Sequence, residues 1–187
     1  LDFTGSNDYA LIDTNMTITN ATAITLNFWV KGSFSENVQY FVDWADSDID
    51  NAYQERLNFI WDSANNLIFS YGGQNSTEFS LSNEYSMSSH ADNWVMLTGV
   101  ADGSSETVKI YLNGTLLSAD SSSWSNGILI NLTAGGDRAI ATRPGTLENI
   151  SETSNFIMDE LGFWEAALTS AEAAALYNSG LSLDASA

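Results

Sequence analysis

Residues 156–164 read Phe-Ile-Met-Asp-Glu-Leu-Gly-Phe-Trp, and they carry the clearest structural signal in the chain. Its length and its apolar residues predict a β-strand that carries an acidic pair. A helix is predicted directly after it, because Thr169 and Glu172 form the T-x-x-E capping box that marks a helix start. Gly180 stands where a left-handed C-cap residue belongs. We therefore predict that the chain closes with one strand and one short capped helix.

Upstream of this ending, apolar residues recur with the two-residue period of β-strands. Trp, Tyr and Phe make up 12% of the chain and occur in short runs between clusters of Gly, Asn, Asp and Ser, which is typical of an all-β sandwich. Asn113-Gly114 predicts a type I′ hairpin turn, since both central residues of that turn need positive φ. Alternation is clearest at residues 26–30, 57–61, 67–71 and 108–112. We place strands near residues 8–13, 22–31, 38–44, 55–61, 66–71, 76–81, 94–101, 106–112, 115–119, 128–133 and 155–164.

Several of these segments, in this order, resemble the landmarks of a known family. They are residues 1–9 (Leu-Asp-Phe-Thr-Gly-Ser-Asn-Asp-Tyr), 24–31, 94–97, 109–114 and the ending described above. The pattern is similar to that of the laminin-G-like, concanavalin A-like lectin-glucanase jelly rolls. The resemblance implies an all-β, antiparallel two-sheet jelly-roll sandwich with one short C-terminal helix, formed as a single domain by residues 1–187. Because that fold carries lectins, adhesion modules, pentraxins and glycan-cleaving enzymes, it leaves the function open.

The charge of the chain limits its partners. With 24 acidic and 5 basic side chains, the formal net charge is −19. Such a field repels nucleic acid phosphates and anionic lipids, so we expect no nucleic acid partner, and the sequence has no apolar run that predicts membrane insertion. The acidity has two interpretations, solubility in a salty medium or cation binding by clustered carboxylates, and both can hold.

Cysteine is absent, so no disulfide framework is expected. The chain starts in an expected strand without a signal peptide. We interpret it as a module of a larger protein that is extracellular, or displayed on a cell surface or virion surface.

A first candidate cation site lies near the start of the chain. Calcium prefers six to eight oxygen ligands, which carboxylates, amides and backbone carbonyls supply. The loop that contains Gly5, Asn7 and Asp8 offers such oxygens, and the resemblance implies a structural calcium held by this loop together with Asp159 on the last strand. The alternative is that Asn7 and Asp8 form an Asx turn and that Asp159 is exposed. Glu160 is expected to point to the opposite face and to be solvated.

A second acidic segment covers residues 43–51, Asp-Trp-Ala-Asp-Ser-Asp-Ile-Asp-Asn. Its D-x-D-x-D spacing invites comparison with an EF-hand loop, but Asn51 replaces the glycine and Leu57 replaces the final glutamate of that motif. A looser second cation site in the Asp46–Asp50 loop and a solvated acidic loop both remain open.

Sugar binding requires an aromatic ring that stacks on the apolar face of a pyranose, and polar groups that bind its hydroxyls. Trp29, Trp94 and Trp164 are expected in the core. Residues 135–145, punctuated by Gly and Pro, predict a loop suited to recognition. The candidate platforms are Trp44, Trp61, Tyr71 and Trp124, and the candidate donors are Arg56, Arg138 and Arg143.

The sequence argues against catalysis. Retaining glycosidases of this fold carry two glutamates on one strand, with carboxyl groups about 5 to 5.5 Å apart, and this chain has no such motif. The spacing of Asp159 and Glu160 predicts that they do not face one cleft, and the single His90 lies in a polar loop. We therefore predict a non-catalytic adhesion module that binds polysaccharide or a cell-surface glycan and holds a structural calcium. The alternative is a structural decoration domain that packs against neighbouring protein chains, and a glycan-cleaving enzyme is the less favoured one.

Overall fold

The computed structural model describes residues 1–5, 8–12, 17–34, 38–45, 56–62, 64–72, 78–121, 130–132, 138–142 and 154–180. These residues form mainly antiparallel β-structure and one α-helix, α1 (Ser170–Tyr177). The strands are β1 (Asp2–Phe3), β2 (Ala10–Leu11), β3 (Ile18–Ala21), β4 (Ala23–Gly32), β5 (Gln39–Ala45), β6 (Arg56–Trp61), β7 (Asn66–Gly72), β8 (Glu78–Glu84), β9 (Val95–Asp102), β10 (Thr107–Leu112), β11 (Thr115–Ser121), β12 (Ile130–Leu132), β13 (Arg138–Ile140) and β14 (Phe156–Trp164).

The strands form two six-stranded antiparallel sheets that enclose one core. The first sheet has the order β1-β14-β4-β9-β10-β11, and the second has the order β2-β13-β5-β6-β7-β8. Strands β3 and β12 form a separate two-stranded pair. The predicted all-β sandwich with one short C-terminal helix is therefore confirmed, and the first and last strands are neighbours.

The core lies between the two sheets and is rich in phenylalanine. The side chain of Phe28 comes from the first sheet, and its ring centroid lies 5.3 Å from that of Phe59 and 5.5 Å from that of Phe41, both in the second sheet. All three side chains are fully buried. The predicted two-residue alternation accounts for them, because Leu26, Phe28 and Val30 share the inward face of β4.

The hairpin turn and the helix start were predicted correctly. Asn113 and Gly114 have φ values of 49° and 71° between β10 and β11, as a type I′ turn requires. The hydroxyl of Thr169 accepts from the backbone N–H of Glu172, which completes the capping box. The predicted C-cap at Gly180 is wrong. The helix ends at Asn178, a residue type that tolerates the left-handed conformation (φ 44°, ψ 40°), and its N–H donates to the last helical carbonyls.

Helix α1 covers the outer face of the first sheet, opposite the core. Ala173 is fully buried against Val100 and Tyr111, and the Tyr111 hydroxyl lies 3.0 Å from the Ser170 hydroxyl. The Gly114 turn meets the helix closely, since a Cβ atom built at Gly114 would lie 2.9 Å from the Cα atom of Ala174. This contact fixes the position of the helix on the sheet.

Two predictions about the second sheet are wrong. Residues 135–145 were expected to form a loop, but Arg138–Ile140 is a strand, because buried Ala139 and Ile140 fill the sheet between β2 and β5. Asp43 was counted both in the predicted strand 38–44 and in the acidic segment 43–51. It lies on β5, fully buried and opposite Asn58, so the strand is confirmed and Asp43 does not belong to a solvated or cation-binding loop. The rest of that segment, residues 46–51, lies outside the described residues.

The capping box gives a first testable prediction. Hydrogen bonds from the Thr169 N–H and then from the Thr169 hydroxyl hold the pKa of Glu172 below its ordinary value of about 4.3. A carboxyl group whose pKa is lower in the folded state stabilises the protein at pH values above its unfolded-state pKa. This contribution is lost as the pH falls through the folded-state pKa. Glu172→Ala is therefore expected to lower the melting temperature at pH 7 and to have no such effect at pH 3, measured by calorimetry.

The control for this experiment is Glu165→Ala, which removes the same charge from an exposed position. The acidic side chains repel one another because the net charge is −19. The control shows how much the melting temperature changes when only one of these charges is removed. Equal melting temperatures for the two variants at pH 7 would show that the capping box does not stabilise the helix.

Candidate functional site

A cleft lies on the outer face of the first sheet, at the carboxyl end of α1. Its volume is about 160 Å³, and its described lining residues are Trp29, Trp94, Asp159, Glu160 and Gly180. The size is below the roughly 300 to 1,000 Å³ of a site for a drug-sized molecule, so the cleft suits a ligand group of about one ring. It combines two aromatic side chains with two carboxylates.

The aromatic side of the cleft comes from strands β4 and β9. The ring of Trp29 points away from the core and stacks on that of Tyr177 in α1, with centroids 5.6 Å apart and an interplanar angle of 23°. Trp94 directly precedes β9, and because Val95 is buried, Trp94 lies on the outer side and is 41% exposed. The prediction that Trp94 belongs to the core is therefore wrong. Trp29 is buried as predicted, but it lies under α1 on the outer face of the first sheet and not between the two sheets. Trp164 is half-buried.

The acidic side of the cleft results from an irregularity in β14. Its register against β4 shifts between Asp159 and Gly162, and Glu160 adopts a φ of 50°. Such a bulge breaks the strict alternation of side chains, so Asp159 and Glu160 both line the cleft and both are exposed. The predictions that Glu160 points to the opposite face, and that the two carboxylates do not share one cleft, are wrong for this reason.

The predicted calcium ligands do not come together. In the antiparallel pair of β1 and β14, Asp2 lies opposite Ile157 and Phe3 lies opposite Phe156, so β1 runs away from Asp159 as it approaches the first loop. The prediction that Asp159 faces the first loop is therefore wrong.

The first loop uses its carboxylate locally. Asp8 accepts a hydrogen bond from the backbone N–H of Gly5 at 2.7 Å, whereas Asn7 lies outside the described residues. Asp159 Oδ1 accepts from the backbone N–H of Glu160 at 2.9 Å. Within the described part of the chain, no group of three or more His, Cys, Asp or Glu residues could hold a metal ion. Asp8 and Asp159 therefore do not form the expected calcium site with the described residues. Calcium binding by the chain stays a prediction.

Two of the predicted sugar platforms are core residues. Trp44 and Trp61 are 2% and 3% exposed, because they share the inward face of the second sheet with Leu57 and Leu67, which lie opposite them. Neither can offer a ring face to a ligand in solution. Their buried indole nitrogen atoms have no hydrogen-bond partner among the described residues.

The other predicted ligand residues are placed only in part. Arg138 on β13 lies opposite Trp44, and Arg56 on β6 lies opposite Ala45, so the two arginines flank the same end of β5. Their side chains and that of Tyr71 on β7 lie outside the described part of the structure. Trp124 and Arg143 also lie outside it. The recognition edge formed by these residues stays a prediction.

The second sheet carries a polar row that sequence reasoning missed. Asp43, Asn58 and Ser70 lie side by side on the face opposite the core, and they are 0%, 3% and 2% exposed. The hydroxyl of Ser70 donates to the amide oxygen of Asn58. The only signal for this row in the sequence is that each residue stands between two apolar residues.

The fold and the sequence together identify the family. Residues 4–174 match the family model Laminin_G_3, described as the concanavalin A-like lectin/glucanases superfamily. The chain belongs to this superfamily. A comparison with curated proteins finds no match. No helix among the described residues is both long enough and apolar enough to cross a membrane.

Several solved structures share this fold. The heptameric SAP-like pentraxin from Limulus polyphemus matches 94% of this chain and 80% of its own, with 19% identity and a TM-score of 0.66. The ligand binding domain of botulinum neurotoxin serotype D in complex with N-acetylneuraminic acid matches 95% and 41%, with 15% identity and a TM-score of 0.68. The binding domain of serotype G matches 93% and 45%, with 18% identity and a TM-score of 0.63. The superfamily member described here thus spans less than half the length of these neurotoxin domains.

Proposed function

We propose that this chain is a non-catalytic glycan-binding module and that the Trp29–Trp94 cleft is its binding site. The observation that carries the proposal is the exposed ring of Trp94 beside carboxylates that can accept hydrogen bonds from sugar hydroxyls. Exposure of the apolar tryptophan ring to water is unfavourable in free energy, and a pyranose stacked on the ring removes that exposure. The glycan complex named for one structural relative supports this class of ligand.

The carboxylates of the cleft fit a binding role better than a catalytic one. A glycosidase needs one carboxylic acid in a desolvated environment that keeps it protonated and another that stays ionised. Asp159 and Glu160 are both exposed, so their environments do not separate the two roles in this way. The proposal therefore includes no cleavage of the bound glycan.

The proposal extends to the setting of the module. Binding domains with this fold include a pentraxin and toxin domains, which supports display of the chain outside a cell or on a cell or virion surface. The proposed partner is a polysaccharide or a glycan of another surface. A structural calcium remains part of the proposal, held by oxygens other than the pair of Gly5 and Asp159.

The test is a glycan array followed by titration calorimetry with the best ligand. Trp94→Ala is expected to weaken binding about 30-fold, equivalent to about 2 kcal/mol, because a central tryptophan typically dominates such a site. Leu116→Ala is the matched control, since Leu116 is 49% exposed on β11 and does not line the cleft. No new reducing ends are expected after prolonged incubation.

Equal affinities of wild type and Trp94→Ala would place the binding site elsewhere. A complete lack of glycan binding would favour the decoration domain that packs against protein chains. The calcium part of the proposal is tested by thermal unfolding with a chelator and with excess calcium at fixed ionic strength. A melting temperature that does not rise with calcium would remove the ion from the proposal.

A further inference from the structure

No described residue neutralises the carboxylates of the cleft. Among the described residues, Asp159 accepts a hydrogen bond only from its own neighbour Glu160, and neither carboxylate pairs with a cation. No described lining residue is basic. A ligand in this cleft therefore meets two negative charges side by side.

The rest of the molecule strengthens this negative field. The cleft lies at the carboxyl end of α1, where the helix dipole places partial negative charge. The formal net charge of −19 adds to it. Sialylated, sulfated and uronic acid sugars are consequently disfavoured at this site, whereas a positive charge is favoured.

The aromatic groups define what else the ligand must offer. Trp94 presents an exposed ring, which suits the flat apolar face of a pyranose and also attracts a cation. Trp29 is only 9% exposed, and its side chain, which lines the cleft, forms no hydrogen bond with any described residue. Its indole N–H is therefore available to a hydroxyl oxygen of the ligand.

We infer that the cleft binds an amino sugar with a free, positively charged amine, such as a glucosamine unit of a deacetylated aminoglycan. This inference rests on the proposed function and names the ligand class of the same site. The pyranose ring stacks on Trp94, and the ammonium group lies against Asp159 and Glu160. An ammonium-bearing peptide would satisfy the carboxylates, but it has no ring to cover Trp94.

The experiment compares methyl glucosaminide with methyl N-acetylglucosaminide at pH 6 and fixed ionic strength. A ligand with a single amine limits unspecific attraction to the acidic surface. Binding is followed by NMR through the indole N–H signals of Trp29 and Trp94, assigned by substitution. The amine is expected to bind about tenfold more tightly than the acetylated sugar. Asp159→Asn combined with Glu160→Gln should remove this preference, whereas Glu165→Gln should keep it.

Each other outcome overturns the inference in a distinguishable way. Equal affinities of wild type for the two sugars would overturn the charge preference and leave the proposed glycan-binding function standing. The third ligand is Nα-acetyl-lysine amide, which keeps its free side-chain amine. If it binds more tightly than the amino sugar, the site is assigned to a peptide. If neither sugar binds but the array yields a neutral glycan, the ligand class is wrong, and if no glycan binds, the proposed function fails as well.

Discussion

Replacing Phe59 with alanine is expected to lower the free energy of unfolding by about 3 to 5 kcal/mol, the usual cost of removing a fully buried ring. The ring of Phe59 joins both sheets, with centroids 5.3 Å from that of Phe28 and 5.4 Å from that of Phe69. Phe28 belongs to the first sheet, so the substitution opens a cavity at the interface on which the sandwich depends. Chemical denaturation measures the loss.

Two variants make this prediction specific. Phe59→Leu keeps most of the apolar volume and should lose less than half as much as Phe59→Ala. Leu116→Ala removes an exposed apolar side chain and should change the stability by no more than about 0.5 kcal/mol. A loss below about 1 kcal/mol for Phe59→Ala would mean that the interior collapses around the gap and is loosely packed.

The sequence predicts this interior well for a physical reason. Phe59 stands between Leu57 and Trp61 in a run with period two, and all three side chains are buried. Alternation follows directly from strand geometry, so it can be read without tertiary information. The capping box at Thr169 and the Asn113-Gly114 turn were equally predictable, because the local backbone alone demands those residue types.

The candidate site could not be predicted in the same way. Glu160 reaches the cleft only because β14 bulges, and the local signal for this bulge, the isolated Gly162 inside the strand, does not tell which side chain is turned. Trp94 was assigned to the core because tryptophans usually are, yet its neighbour Val95 takes the inward position. The expected position of Asp159 beside the first loop was wrong because of strand register, which pairs residues 2 and 157 and depends on the whole fold.

Replacing Gly114 with alanine is expected to cost about 2 to 5 kcal/mol of stability, from two sources. Gly114 has a φ of 71°, where a residue with a Cβ atom pays about 1 to 2 kcal/mol. The new Cβ atom would also lie 2.9 Å from the Cα atom of Ala174 and the Cβ atom of Tyr177, and overpacking of this kind costs about 1 to 3 kcal/mol. Thermal and chemical unfolding measure the sum.

The same substitution connects the turn with the cleft. If Gly114→Ala pushes α1 outward, Tyr177 moves away from Trp29, and ligand affinity falls although no lining residue has changed. Gly180→Ala is the stability control, since Gly180 has a φ of 82° but its added Cβ atom would come no closer than 3.4 Å to another group. Equal losses of stability for the two variants would show that backbone strain alone is responsible and that the turn does not hold the helix. A larger loss for Gly114→Ala, together with weaker binding, shows that the hairpin between β10 and β11 positions the aromatic wall of the site.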